Sequence, residues 1–232
     1  MSDDRTIFTL ILDRPRRQSP TSGAAGSCLL ILLAAMLSAC SNLLPAPTSG
    51  GVLFQDDFSR PSSGWDRQRE EGHIAAYIDG GYHISISAED TVVWGRPHLD
   101  FDDIIIRVDA EKLAGSDDNV FGIICRFQDP QNYIFFTISS DGFAGIGAIV
   151  AGEQQMLHAD AMNPADAVET SDGIYHLETA CIDDELRLSV NGQDVLTATS
   201  PLPSGGDVGL LAGSRSEVPV EIRFDYFSVL QP

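Results

Sequence analysis

From Val52 onward the sequence predicts an all-β fold of two antiparallel sheets, a sandwich or barrel, and three observations carry that prediction. Apolar and polar residues alternate with a period of two, the spacing that sets one side of a strand on a core and the other in water. Gly, Asp, Asn and Pro interrupt the alternating runs about every 8–12 residues, as turns do in antiparallel sheets. β-branched and aromatic residues dominate the runs and fit a pleated, half-buried surface.

Taken in order, the first strand is expected at Phe54-Gln55-Asp56-Asp57-Phe58-Ser59, ahead of Gly64-Trp65. Residues 82–87, 103–108 and 132–138 read as strands, followed by 145–150, 186–190 and 221–229. Asp79-Gly80, Asp141-Gly142 and Asn191-Gly192 supply residues that tolerate positive φ, which tight hairpins require. Only residues 159–171, around Asn163-Pro164-Ala165-Asp166, suggest a short helical turn. No linker composition divides the chain after Val52, so residues 52–232 are read as one domain.

The residues before it differ in kind. Arg5, Arg14, Arg16 and Arg17 form a basic stretch, and an apolar run follows from Ala24 to Leu37. At about 14 residues the run is shorter than the roughly 20 that span a bilayer, and it reads as the core of a signal peptide. Leu37-Ser38-Ala39-Cys40 resembles the lipobox of bacterial lipoproteins, in which the cysteine takes a diacylglycerol thioether and becomes the new N-terminus. The alternative is an ordinary signal peptide with a chance cysteine. On the lipoprotein reading, residues 1–39 are the signal peptide, and 40–51 are the lipidated Cys40 with a Pro/Ser/Gly tether. The domain then stands outside the cytoplasm, held to a bacterial cell membrane by lipid alone. Arg16-Arg17 lacks the apolar residues that follow a twin-arginine signal.

Charge excludes one class of partner. The 232 residues carry 14 Lys+Arg against 34 Asp+Glu, a net −20. The leader holds four arginines against Asp3, Asp4 and Asp13, so the remainder carries −21, and Lys112 is the one lysine of the chain. Such a surface repels phosphate backbones, and no nucleic-acid partner is expected.

Of four cysteines, Cys28 leaves with the leader and Cys40 takes the lipid, which leaves Cys125 and Cys181 in an oxidising compartment. Cys125 shares a phase with Phe121, Ile123 and Phe127, and Cys181 with Tyr175 and Leu177, so both thiols are expected at the core. We expect a disulfide, against the alternative of two buried thiols. A bridge closing about 57 residues would stabilise by roughly 4 kcal/mol.

Three segments together resemble the closing elements of concanavalin A-like jelly-roll domains, a superfamily that includes laminin-G-like and 3-keto-disaccharide hydrolase-like modules. They are Leu188-Ser189-Val190-Asn191-Gly192-Gln193, Gly205-Gly206-Asp207-Val208-Gly209-Leu210-Leu211-Ala212-Gly213, and Phe224-Asp225-Tyr226-Phe227-Ser228-Val229. The Phe54–Ser59 opening matches the usual first strand, which lies beside the last. The resemblance implies a jelly-roll β-sandwich over residues 53–230, with Gly209 and Gly213 where a side chain would crowd the opposing sheet. Lectins, glycosidases and adhesion modules all occur on this fold, so function must come from the site.

Retaining glycosidases of this fold carry a Glu-x-Asp-x-(x)-Glu strand whose alternate carboxylates face one cleft. No such string is present; Asp183-Asp184-Glu185 falls between strands and reads as a solvated hairpin. Asp117-Asp118-Asn119 lacks the alternation and distal Glu of a calcium loop, and the spacing of Cys and His gives no zinc site. No cofactor is expected, with structural calcium the lesser alternative. His73, His83, His98, His158 and His176 accompany no nucleophile elbow, and no catalytic residue is assigned. Sugar recognition uses aromatic faces and planar polar groups, which points to Trp94, Arg96, Arg126 and Tyr133. Arg126 is in the phase opposite Cys125, and Tyr133 lies across the turn that follows it. Trp65 is a further aromatic, expected more in the core. The expected function is a non-catalytic surface module that binds carbohydrate or another extracytoplasmic polymer. The alternatives are a diverged glycan-active hydrolase and a protein-interaction or adhesion domain.

Overall fold

The computed structural model describes residues 51–170 and 173–232; the leader, Cys40 and the tether up to residue 50 lie outside the described residues. The strands are β1 (Val52–Asp56), β2 (Gln68–Glu70), β3 (His73–Ile78), β4 (Gly81–Ile86), β5 (Thr91–Gly95), β6 (Ile104–Ala114), β7 (Asn119–Asp129) and β8 (Asn132–Ser139). They continue with β9 (Phe143–Val150), β10 (Glu153–Met156), β11 (Asn163–Pro164), β12 (Ile174–Ile182), β13 (Glu185–Val190), β14 (Gln193–Thr199), β15 (Asp207–Ser214) and β16 (Val220–Leu230). A 3-10 turn at Asp166–Val168 falls in the segment expected to be helical.

All pairings are antiparallel and build two sheets. The first runs β14-β13-β12-β6-β16-β4-β3-β2 with β1 beside β16; the second runs β10-β9-β8-β7-β15-β5 with β11 beside β9. This is the jelly-roll β-sandwich the sequence predicts, with the first strand against the last through Phe54 opposite Val229. The alternation sets Ile104, Ile106 and Val108 of β6 and Ile222 and Phe224 of β16 between the sheets, against Phe121, Ile123, Ile134 and Phe136 of the second sheet, and after a bulge at Tyr226 (φ 51°) Phe227 and Val229 return to the same side. Phe58, Trp65, Tyr82 and Phe227 close one end of this core edge to face, so Trp65 is a core residue. Asp79 and Gly80 have φ of 48° and 78°, and Asn191 and Gly192 have 51° and 77°, the two consecutive left-handed residues of a tight hairpin.

Cys125 and Cys181 are disulfide-bonded and tie β7 of the second sheet to β12 of the first. One expected phase fails here. Arg126 has φ of 52°, and the pairing of β7 with β15 runs from Ile124 opposite Gly209 to Phe127 opposite Asp207, a bulge that inserts one residue into the alternation. Cys125 keeps its place in the core with Phe121 and Ile123, whereas Phe127 moves to the outer side of the sheet.

The glycines of β15 also serve a different neighbour from the one expected. A Cβ on Gly213 would lie 2.8 Å from Val120 Cγ2 and 2.9 Å from Val92 Cγ2, and one on Gly209 would lie 3.0 Å from Arg96 Cγ. The crowding is lateral, with strands of the same sheet, because these positions point outward. That outer side carries its own apolar cluster, including Val120, Ile124, Phe135, Ile149 and Leu211. Among the described residues no strand or helix forms a third layer over it.

Candidate binding site

The strand ends of the second sheet build a cleft of about 470 Å³ from three segments: 96–100 after β5, Phe127 and Gln128 at the end of β7, and Gly205–Asp207 entering β15. Trp94 pairs with Leu211, so the side chains of Trp94 and Arg96 emerge on the outer side of the sheet. The bare Gly209 beside Arg96 lets the arginine stem lie flat across β15. Its guanidinium carbon sits 3.8 Å from the centroid of the Phe127 ring, a cation–π contact. Tyr133 stacks on Phe127 with centroids 5.5 Å apart, and Trp94 follows 6.2 Å from Tyr133.

Asp207 holds the arginine from the other side. Its Oδ2 accepts from Arg96 Nη1 at 3.0 Å, and its Oδ1 accepts from the N–H groups of Leu99 at 3.0 Å and Val208 at 2.8 Å. Burial raises the Asp207 pKa, and those two N–H groups, with Arg96 and His98, oppose the rise. Asp66 serves a second anchor: its carboxylate accepts from Arg96 N–H at 3.2 Å and lies 2.7 Å from His98 Nε2. His98 adopts φ of 60°, a conformation uncommon outside glycine. Asp100 accepts the Gly206 N–H at 2.8 Å, and Phe101 bridges to Gly206. Gly206 has φ of 137°, and a Cβ there would lie 2.7 Å from the Arg126 carbonyl carbon, so the loop closes only on glycine.

Three of the four residues expected to bind ligand are brought together. Trp94 and Tyr133 line the outer face next to the cleft, and Arg96 forms its wall. Arg126 is the correction. The bulge turns it inward until it is 1% exposed, where it donates to the carbonyls of Leu202 at 3.2 Å and of Asp183 and lies 3.8 Å from Asp103. Burial lowers its pKa, with Asp103 the main opposing charge. It therefore ties β7 to the β12–β13 turn instead of standing beside Tyr133 on the hairpin surface.

Phe127, Asp207, Asp66 and Asp100 were missed. Phe127 was assigned to the core face, and the aspartates come from segments far apart in sequence whose closeness no local pattern encodes. The Gly205-Gly206-Asp207 run was the one available signal.

Chemically, the cleft presents hydrogen-bonding groups held at fixed positions. Asp66, Asp100 and Asp207 are each engaged by backbone N–H groups, so they act as braces for the loops. Elsewhere, Asp117 pairs with Lys112, Asp118 lies 3.9 Å from Arg215, and Asn119 donates to Ser116 O and Ser140 Oγ. No group of three or more His, Cys, Asp or Glu is arranged for a metal ion among the described residues.

No protein-family model matches the chain, and no curated protein does. Solved structures of the same architecture do. The carbohydrate-binding module CBM66 from Bacillus subtilis is 15% identical and covers 72% of this chain and 96% of its own, with a TM-score of 0.55. A Bacillus subtilis protein of unknown function with a galectin-like fold is 14% identical, covers 79% and 97%, and has a TM-score of 0.57. The β-glucanase of Bacillus licheniformis is 10% identical, covers 78% and 99%, and has a TM-score of 0.55. At these identities the likeness shows the fold, a concanavalin A-like and galectin-like sandwich.

Proposed function

We propose that this chain is a non-catalytic carbohydrate-binding module, lipid-anchored through Cys40 on the outer side of a bacterial membrane. The observation that carries the reading is Arg96, laid on the Phe127 ring and clamped by Asp207 in the wall of an open cleft. A guanidinium fixed at both ends keeps its donors aimed without further loss of side-chain freedom, which favours recognition of hydroxyl groups. The occurrence of a carbohydrate-binding module and a β-glucanase on the same architecture supports a glycan as partner. Each cleft carboxylate is taken up in bracing a loop, which favours binding over hydrolysis.

The root of the tether shares the cleft's end of the sandwich. Val52 lies opposite Leu230, Leu230 opposite Ile105, and Asp103 next to them accepts from Asp183 N–H and Ser204 Oγ. Twelve residues from Cys40 to Val52 reach at most about 40 Å, so a lipid at Cys40 would keep Val52 within that distance of the bilayer. The ligand is then a glycan of the near cell surface.

The test is a glycan array with the full-length protein, followed by calorimetry on any hit. Arg96→Ala is expected to weaken binding by about ten-fold or more, the scale of losing a charged hydrogen-bond donor. Absence of binding to every glycan, or full binding by the Arg96→Ala protein, would overturn the reading. Radiolabelled palmitate incorporated by the parent and absent from Cys40→Ser is the expected result for the anchor.

A further inference from the structure

Resting on that reading, we infer that the saccharide this cleft accepts is short and uncharged. The inference combines the charge state of the cleft with the chemistry of the sheet beyond it.

Two basic side chains, Arg96 and His98, border the cleft, and each faces a carboxylate. Arg96 is paired with Asp207 at 3.0 Å and His98 with Asp66 at 2.7 Å, while Asp100 adds a further negative charge at the rim. The next cation, Arg126, is spent on the carbonyls of Leu202 and Asp183 inside the sandwich. Lys112 lies near the far end of β6 and pairs with Asp117. A uronate or sulfate would enter this site against its charge and against the net −21 of residues 40–232, and would find Arg96 and His98 already facing carboxylates. Sugar hydroxyls meet no such opposition: they donate to carboxylate oxygens and accept from Gln128 and Arg96.

Length follows from the surroundings. Phe127 is 5% exposed and Tyr133 2%, with the Phe127 ring already engaged by Arg96 and Tyr133, so these rings offer no open platform for successive sugars. Further along the outer side come Ile124, Leu211, Phe135 and Ile149. These side chains are at most 2% exposed, so they too offer no face on which successive sugars could rest. Polar recognition thus ends with the cleft, whose 470 Å³ falls in the lower half of the usual ligand-pocket range of roughly 300–1,000 Å³.

The experiment uses the full-length protein in detergent on an array of neutral, uronate and sulfated glycans, with a length series from monosaccharide to hexasaccharide of each neutral hit. Signal confined to neutral glycans is expected, with affinity level beyond the trisaccharide and changing less than about two-fold between roughly 25 and 250 mM salt. Preference for uronate or sulfated glycans, lost on adding salt, would overturn the inference while leaving the glycan-binding reading intact. So would affinity that climbs with every unit up to the hexasaccharide. Silence across the whole array would overturn both.

Discussion

Replacing Arg126 by Met separates a structural arginine from a ligand-binding one. The guanidinium is 1% exposed and donates to two backbone carbonyls, at Leu202 and Asp183, across the cleft end of the sandwich. A charged hydrogen bond contributes about 1.5–3 kcal/mol, so the pair is worth about 3–6 kcal/mol gross. Methionine restores apolar contact and removes the desolvation that lowers the Arg126 pKa, and with it the unpartnered Nε, which offsets part of that loss. The net cost expected is about 2–4 kcal/mol, or roughly 5–15 °C in Tm for a domain of this size. Urea unfolding followed by circular dichroism should show the midpoint falling with an unchanged slope, while affinity for a glycan hit stays at the parent value under native conditions. A midpoint within about 0.5 kcal/mol of the parent, or loss of binding with stability intact, would refute the bracing role and return Arg126 to the ligand surface.

Two further outcomes are expected. Reducing the Cys125–Cys181 bond, or replacing both residues by Ala, should cost about 4 kcal/mol in the chain-entropy account, from a closed loop with a sequence separation of 56; unfolding curves that coincide with and without reductant would contradict it. Burial holds His158 below the ordinary histidine value of 6.5, with the Ile146 backbone bond opposing, so the folded chain resists a proton that the unfolded chain accepts. Its contribution is whole above about pH 6.5 and is lost as pH falls below that value, so thermal midpoints should drop less on acidification in His158→Asn than in the parent.

The strands were legible because each is a local pattern. In β6 the period of two assigns inward and outward faces without reference to any partner, and in Asn191-Gly192 the turn chemistry names the hairpin. The disulfide pair was legible because Cys125 and Cys181 both fall in the core-facing phase of their strands. The candidate site was legible only in part. Trp94, Arg96 and Tyr133 do meet on one side of the second sheet. Arg126 and Phe127 exchange sides, since a bulge leaves no mark in alternation until its partner strand is known.

By itself, then, the sequence determined an acidic all-β sandwich with Cys125 and Cys181 turned to its core, since alternation, turn residues and net charge are properties of neighbours along the chain. Tertiary structure decided where the cleft lies and which side chains face it. The left-handed Arg126 is held by carbonyls 57 and 76 residues away, and Arg96 is held by an aspartate 111 residues away. The Arg96 contact forms only when β5 pairs with β15, and the Arg126 contacts only when the two sheets close on each other; these, more than any local preference, turned Arg126 inward and Phe127 outward.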